Sequence, residues 1–140
     1  MITRTGSAKW DGGLKEGKGL VSTHSGALSD QPYGFNTRFE DKPGTNPEEL
    51  IGAAHASCFS MALAMMLEQE GISGVSIETT SKIGMDKEGD GFAVKTAHLV
   101  TQIKADSDEA TIKSVAEKAK AGCPISKLLN AEITMEATVL

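Results

Sequence analysis

The most continuous apolar pattern in the chain lies between two helix punctuation marks. Asn46-Pro47-Glu48-Glu49 offers an N-cap, a proline at the first helical position and carboxylates in the first turn. No breaker follows until Gly71. The spacing predicts a helix over 47–70. Its middle, Ile51 to Leu63, is small or apolar at nearly every position, so the helix has no obvious solvent face. Gly52, Ala53, Ala54 and Ala56 would let another backbone approach closely. A chain of this size has difficulty covering such a helix on all sides, so a second copy is expected to cover part of it, as a homodimer.

Other periodicities fill in around it. Ser7–Trp10 and Gly19–Thr23 flank Gly12-Gly13 and predict a hairpin of short strands. Gln31-Pro32-Tyr33-Gly34 reads as a turn, with a short strand over Phe35–Phe39 after it. Val75–Met85 and Phe92–Lys104 read as strands joined by the loop Asp86–Gly91. Asp106 with Glu109 resembles a capping box, predicting a helix over 107–121 with Ile112, Val115, Ala116 and Ala119 on one face. The charges from Lys113 to Lys120 are its solvated face. Pro124 opens a further short helix to Leu129, with Cys123 at the N-cap. Ile133, Met135, Ala137 and Val139 alternate with polar residues as a half-buried final strand. The order β-β-β-α-β-β-α-β, mostly hairpins, indicates an α+β fold.

Composition narrows the function. One domain spanning 1–140 suits the length. Hydrophobic residues make up 39% and charged residues 24%, a globular balance. The net charge of −5 argues against a phosphate-backbone partner. No apolar run approaches the roughly 20 residues needed to span a bilayer, and the start Met1-Ile2-Thr3-Arg4-Thr5-Gly6 does not resemble a signal peptide. The expected compartment is therefore the cytoplasm, with no membrane partner. There thiols stay reduced, and two cysteines 65 positions apart are chemical candidates rather than a structural bridge. The plainer alternative is a pair of inert buried thiols.

Cys58 falls in the buried helix, where an apolar environment raises a thiol pKa, so reactivity would need a cation nearby. His55, one turn earlier, is one candidate, although a helix histidine with no ligand role is the plainer reading. A more distant arginine is another. Cys123, at a helix N-terminus, has the local electrostatics that favour a thiolate, so local physics alone would choose it as the stronger nucleophile. His24, His55 and His98 are too scattered for a zinc site, and no Cys-x-x-Cys, Gly-x-Ser-x-Gly or nucleotide-binding glycine loop occurs.

Three segments together resemble one family across essentially the whole chain: Gln31-Pro32-Tyr33-Gly34-Phe35-Asn36-Thr37-Arg38-Phe39, the run from Thr45 to Leu63, and Lys118-Ala119-Lys120-Ala121-Gly122-Cys123-Pro124. The sequence is similar to the osmotically inducible protein C (OsmC) family of peroxidases. The arginine in Tyr-Gly-Phe-Asn-Thr-Arg favours that branch over the organic hydroperoxide resistance proteins. The resemblance implies an intertwined homodimer, with antiparallel sheets wrapped around two long central helices. It implies Cys58 as the peroxidatic cysteine, Cys123 as the resolving one, and Arg38 with Glu48 as the activating pair. It also suggests a lipoyl-type dithiol as reductant and organic hydroperoxides as substrates, with no metal or organic cofactor. Apolar residues such as Met61 and Phe39 would favour alkyl substrates. Glu48 and Cys58 are ten residues apart, roughly 15 Å along a straight helix, so Glu48 is expected to serve the cysteine of the other subunit, with Glu49 as the fallback. The rival reading is a thiol redox sensor or binding module on the same fold that does not turn over.

Overall fold

The computed structural model describes residues 1–140, which form two compact units, 1–50 and 51–140. In the first, β1 (Gly6–Asp11), β2 (Lys18–Thr23) and β3 (Gln31–Tyr33) make an antiparallel sheet in that order. The expected hairpin is present. The strand expected over Phe35–Phe39 is instead a helical turn, α1 (Phe35–Phe39), and the strand comes earlier, where a turn was expected. Thr37 explains the difference. Its hydroxyl accepts the Gly34 N–H (2.9 Å) and donates to the Gly34 carbonyl (3.0 Å), while Arg38 N–H bonds to the same carbonyl (3.1 Å). Pro32, which has no N–H to give, is tolerated because β3 is an edge.

Helix α2 (Pro47–Gln69) follows the sequence signals closely. Asn46 Oδ1 accepts the Glu49 N–H (2.8 Å) as the N-cap. At the other end Gly71 takes a φ of 74° and Ile72 N–H returns to the Leu67 carbonyl (2.9 Å). By length and composition α2 could cross a membrane, against the expectation that no segment approaches a span. His55, Ser57 and Ser60 break the apolar run along this helix without lowering its mean hydropathy below that of a span. Its burial also differs from expectation. Within the chain a single stripe is buried, Gly52, His55, Phe59, Leu63 and Leu67. The opposite stripe, Ala53, Ala54, Ser57, Met61 and Met65, is exposed. Met61 is 75% exposed.

The second unit is built on β4 (Ser76–Glu88), β5 (Gly91–Lys104) and β6 (Glu132–Val139). β4 and β5 pair antiparallel to the end of a tight turn at Gly89-Asp90, so the loop is shorter than Asp86–Gly91. Gly89 takes a φ of 59°, the conformation glycine supplies at little cost. β6 runs parallel to β5, which makes this sheet mixed rather than wholly antiparallel. The crossover is made by α3 (Glu109–Gly122) and α4 (Pro124–Leu128). The N-cap of α3 is Asp108, not Asp106. Asp108 accepts from the Thr111 N–H (3.0 Å) and hydroxyl (2.8 Å), whereas Asp106 accepts the Ser73 hydroxyl (3.4 Å). Phe59, Leu63 and Leu67 of α2 pack with Leu99 and Ile103 of β5 and with Ile112, Val115, Ala116 and Ala119 of α3. The expected apolar face of α3 is thus the buried one. Gly52 lets α2 sit close to the sheet: a Cβ there would lie 2.8 Å from the Ser81 carbonyl oxygen.

Candidate active site

Two groups of side chains carry the candidate chemistry. In residues 1–50 the Arg38 guanidinium forks onto the Glu48 carboxylate. Nε lies 3.2 Å from both oxygens and Nη2 2.7 Å from Oε1. Contacts of this kind fix orientation as well as charge. Arg38 sits on α1 and Glu48 in the first turn of α2, and Asn46 ties the two elements together through Nδ2 and the Thr37 carbonyl (3.2 Å). Glu49 is exposed and has a different task, giving its N–H to the Asn46 cap. The guanidinium carbon also lies 5.3 Å from the Phe39 ring centre, and Phe39 is 5.0 Å from Phe35. Trp10, Leu14, Tyr33, Phe35, Arg38 and Phe39 line an open cleft of about 220 Å³. An arginine therefore faces a largely apolar, aromatic-walled space.

The second group lies in residues 51–140. Cys58 and Cys123 are free thiols, and Cys58 packs against the core cluster that contains Cys123. α2 carries one and the N-cap of α4 the other, so the chain closes 65 positions of sequence through α3 packing. Cys58 is half-buried, and Cys123 has no exposed surface. Burial pushes the Cys58 pKa up; the Ile125 N–H, at the start of α4, pulls it down; the neighbouring Cys123 raises it again. Cys123 Sγ accepts the Ser126 N–H (3.3 Å) as the α4 cap, as its position before Pro124 predicts.

Sequence reasoning passed over the hydroxyls here. His55 is fully buried, with Nδ1 2.7 Å from Ser81 Oγ and Nε2 2.9 Å from Ser126 Oγ. Burial holds its pKa below the ordinary 6.5. Ser126 Oγ lies 3.3 Å from Cys123 Sγ. Two signals could have found these residues. Ser126 is at the third position after the Cys123 cap, where side chain and cap meet. Ser81 shares the inward face of β4 with Ile77, Thr79 and Ile83. Thr79 takes the Ser60 hydroxyl at 2.9 Å and meets Thr101 at 2.9 Å, a second polar tie between α2 and the sheet. No three histidine, cysteine, aspartate or glutamate side chains converge to hold a metal. His98 is occupied elsewhere, 2.6 Å from Thr134.

The family model described as OsmC-like protein matches residues 39–138. The chain belongs to the OsmC-like family. Among its relatives, the peroxiredoxin OsmC of Escherichia coli K12 is 53% identical over 136 residues, covering 96% of this chain and 95% of its own. The organic hydroperoxide resistance protein OhrA of Bacillus subtilis is 29% identical, covering 97% and 95%. Among solved structures, the organic hydroperoxide resistance protein OhrB of Bacillus subtilis superposes with a TM-score of 0.75 at 26% identity, covering 96% of this chain and 98% of that one.

Proposed function

We propose that this OsmC-like chain reduces organic hydroperoxides with Cys58 as the attacking thiolate and Cys123 as the resolving thiol. It is a thiol-dependent peroxidase, an oxidoreductase whose chemistry resides in cysteine. The observation that carries the division of labour is access. Cys58 packs against the core cluster that contains Cys123, yet only Cys58 retains surface a peroxide could reach, whereas Cys123 has none. Local electrostatics alone leave the choice open, since α4 points an N–H at each sulfur.

The cycle balances as ordinary thiol chemistry. The Cys58 thiolate attacks the terminal oxygen of R–O–OH, the O–O bond breaks, and the alkoxide leaves to become alcohol. Cys58 is left as sulfenic acid. Cys123 attacks that sulfur, expelling water and forming the Cys58–Cys123 disulfide. An external dithiol, of lipoyl type, reduces the disulfide by exchange and is itself oxidised.

Burial raises the Cys58 pKa, so a cation must offset it. Arg38, always charged and held by Glu48, is assigned that task. Helix arithmetic supports delivery of the Glu48–Arg38 pair to the cysteine of a second copy. The exposed stripe of α2 that contains Met61 supports the same arrangement, a homodimer of 1–140 domains in the cytoplasm. The cleft beside Arg38 suits an alkyl group better than water-like hydrogen peroxide.

Purified wild type, given dihydrolipoamide, should turn over tert-butyl hydroperoxide repeatedly and faster than hydrogen peroxide. Cys58→Ser should lose all reaction. Cys123→Ser should consume one equivalent and then stop with Cys58 oxidised. One stoichiometric oxidation of the wild type without turnover would establish a sensor instead, and equal loss of the first reaction in both variants would overturn the roles.

A further inference from the structure

The peroxidase reading leaves unassigned a buried histidine hydrogen-bonded at both ring nitrogens. The geometry points to His55 and Ser126 as positioning and proton-relay residues for the resolving thiol, Cys123, in the disulfide-forming step. This inference rests on the reading of Cys58 and Cys123 given above.

The hydrogen bonds run in one self-consistent direction. The Cys123 thiol donates to Ser126 Oγ (3.3 Å), the Ser126 hydroxyl donates to His55 Nε2 (2.9 Å), and His55 Nδ1–H donates to Ser81 Oγ (2.7 Å). This direction corresponds to the tautomer with its proton on Nδ1, which leaves Nε2 free to accept. Cys123 and His55 have no exposed surface and Ser126 only 6%, so solvent is a poor base for this thiol. His55, its pKa depressed by burial, is neutral around pH 7 and able to take a proton. The Ser126 N–H, also on Cys123 Sγ, stabilises the negative charge as it develops.

The step balances. As Cys123 Sγ bonds to Cys58 Sγ, its proton passes to Ser126 Oγ and the Ser126 proton passes to His55 Nε2. The S–O bond of the sulfenic acid breaks, its oxygen leaves as hydroxide, and the relayed proton returned by His55 completes water. Cys58–SOH and Cys123–SH become the disulfide and H₂O, with His55 neutral again. With no solvent at Cys123 to take its proton, the disulfide would otherwise form slowly and leave Cys58 open to further oxidation.

The plainer role, a staple joining α2 to β4 and α4, makes a different prediction. Reduced protein is mixed with one equivalent of tert-butyl hydroperoxide and quenched at intervals. Sulfenic acid is trapped with dimedone, and disulfide is counted by mass. Oxidation of Cys58 in the same mixing is the reference for the second step. In the wild type the disulfide-forming rate should be flat from pH 6.5 to 8.5. In Ser126→Ala and His55→Gln, which lack the internal base, it should instead rise steadily with pH across that range, being slowest at pH 6.5. With excess peroxide both variants should accumulate sulfinic Cys58. Ser126→Thr, which keeps a hydroxyl, should restore the flat profile. A staple alone would slow the step equally at every pH, so an unchanged profile in Ser126→Ala overturns the relay. A wild type that oxidises at Cys58 yet never forms the disulfide overturns the resolving role itself.

Discussion

Replacing Gly52 by alanine sets two physical rules against each other. In an exposed helix the change should stabilise by about 1 kcal/mol, because alanine loses less backbone freedom than glycine. In α2 the new Cβ would sit 2.8 Å from the Ser81 carbonyl oxygen and 3.5 Å from Ile83 Cγ1. Ordinary contact begins near 3.4 Å, so α2 and β4 must part by about half an ångström, and the atom in the way is backbone that cannot swing aside. Overpacking of this kind costs about 1–3 kcal/mol. The net expectation is a destabilisation of up to about 2 kcal/mol, with Gly52→Val worse because it adds bulk and loses helix propensity. The shift also lengthens the 2.7 Å bond from His55 to Ser81. Urea unfolding at fixed protein concentration, followed by circular dichroism, should give midpoints in the order wild type, Gly52→Ala, Gly52→Val. A midpoint for Gly52→Ala above wild type would show that α2 does not press on β4 as described.

Arg38→Lys keeps the charge and loses the fork onto Glu48; kcat/KM for tert-butyl hydroperoxide should fall at least tenfold, while unfolding shifts by no more than about 1 kcal/mol, as befits a partly exposed pair. Equal kcat/KM would remove Arg38 from the site. Because the pKa of His55 is lower folded than unfolded, the unfolded chain binds the extra proton first, so stability holds above pH 6.5 and declines as pH falls below it. Urea midpoints between pH 8 and 5 should show that decline, and His55→Gln should flatten it. Met61→Glu puts a carboxylate on the exposed stripe of α2; if a second copy covers that stripe, sedimentation should show monomer and peroxide turnover should drop, whereas an intact dimer would place the interface elsewhere.

Elements with strong local punctuation are legible in the sequence itself. Asn46-Pro47 at one end and Gly71 at the other bracket α2 to within a residue, and Gly122-Cys123-Pro124 marks both the end of α3 and the cap of α4. α1 was misread because five residues are too few for a helical period, and Phe35, Thr37 and Phe39 are good strand formers. The alternation in β6 marks a half-buried strand, but alternation carries no direction, so its parallel pairing leaves no trace in the sequence. The Arg38 and Glu48 pairing and the meeting of the two cysteines entered through family resemblance, because no local rule links positions ten or 65 apart. The serines flanking His55 were missed because a single hydroxyl leaves no periodic trace.

The register of α2 would let one helix serve the core and, under the proposed function, chemistry and association together. Gly52, His55, Phe59, Leu63 and Leu67 recur at three and four and define the buried stripe. Ala53, Ala54, Ser57, Met61 and Met65 define the stripe on the opposite side. Cys58 falls on the border between them, half-buried. Moved one position back, to 57, the sulfur would face outward, away from Cys123. Moved one position forward, to 59, it would be sealed in the core with Phe59's neighbours, and a peroxide could not reach it. A border position lets the thiol pack on the core side with the cluster that contains Cys123, while its other side remains open to the face where, in the proposed dimer, a second copy would bring a cation. In the proposed dimer both stripes would be apolar for different reasons, one to hold the sheet and one to be covered by the second copy, which would leave the sulfur between them reachable yet shielded from bulk water.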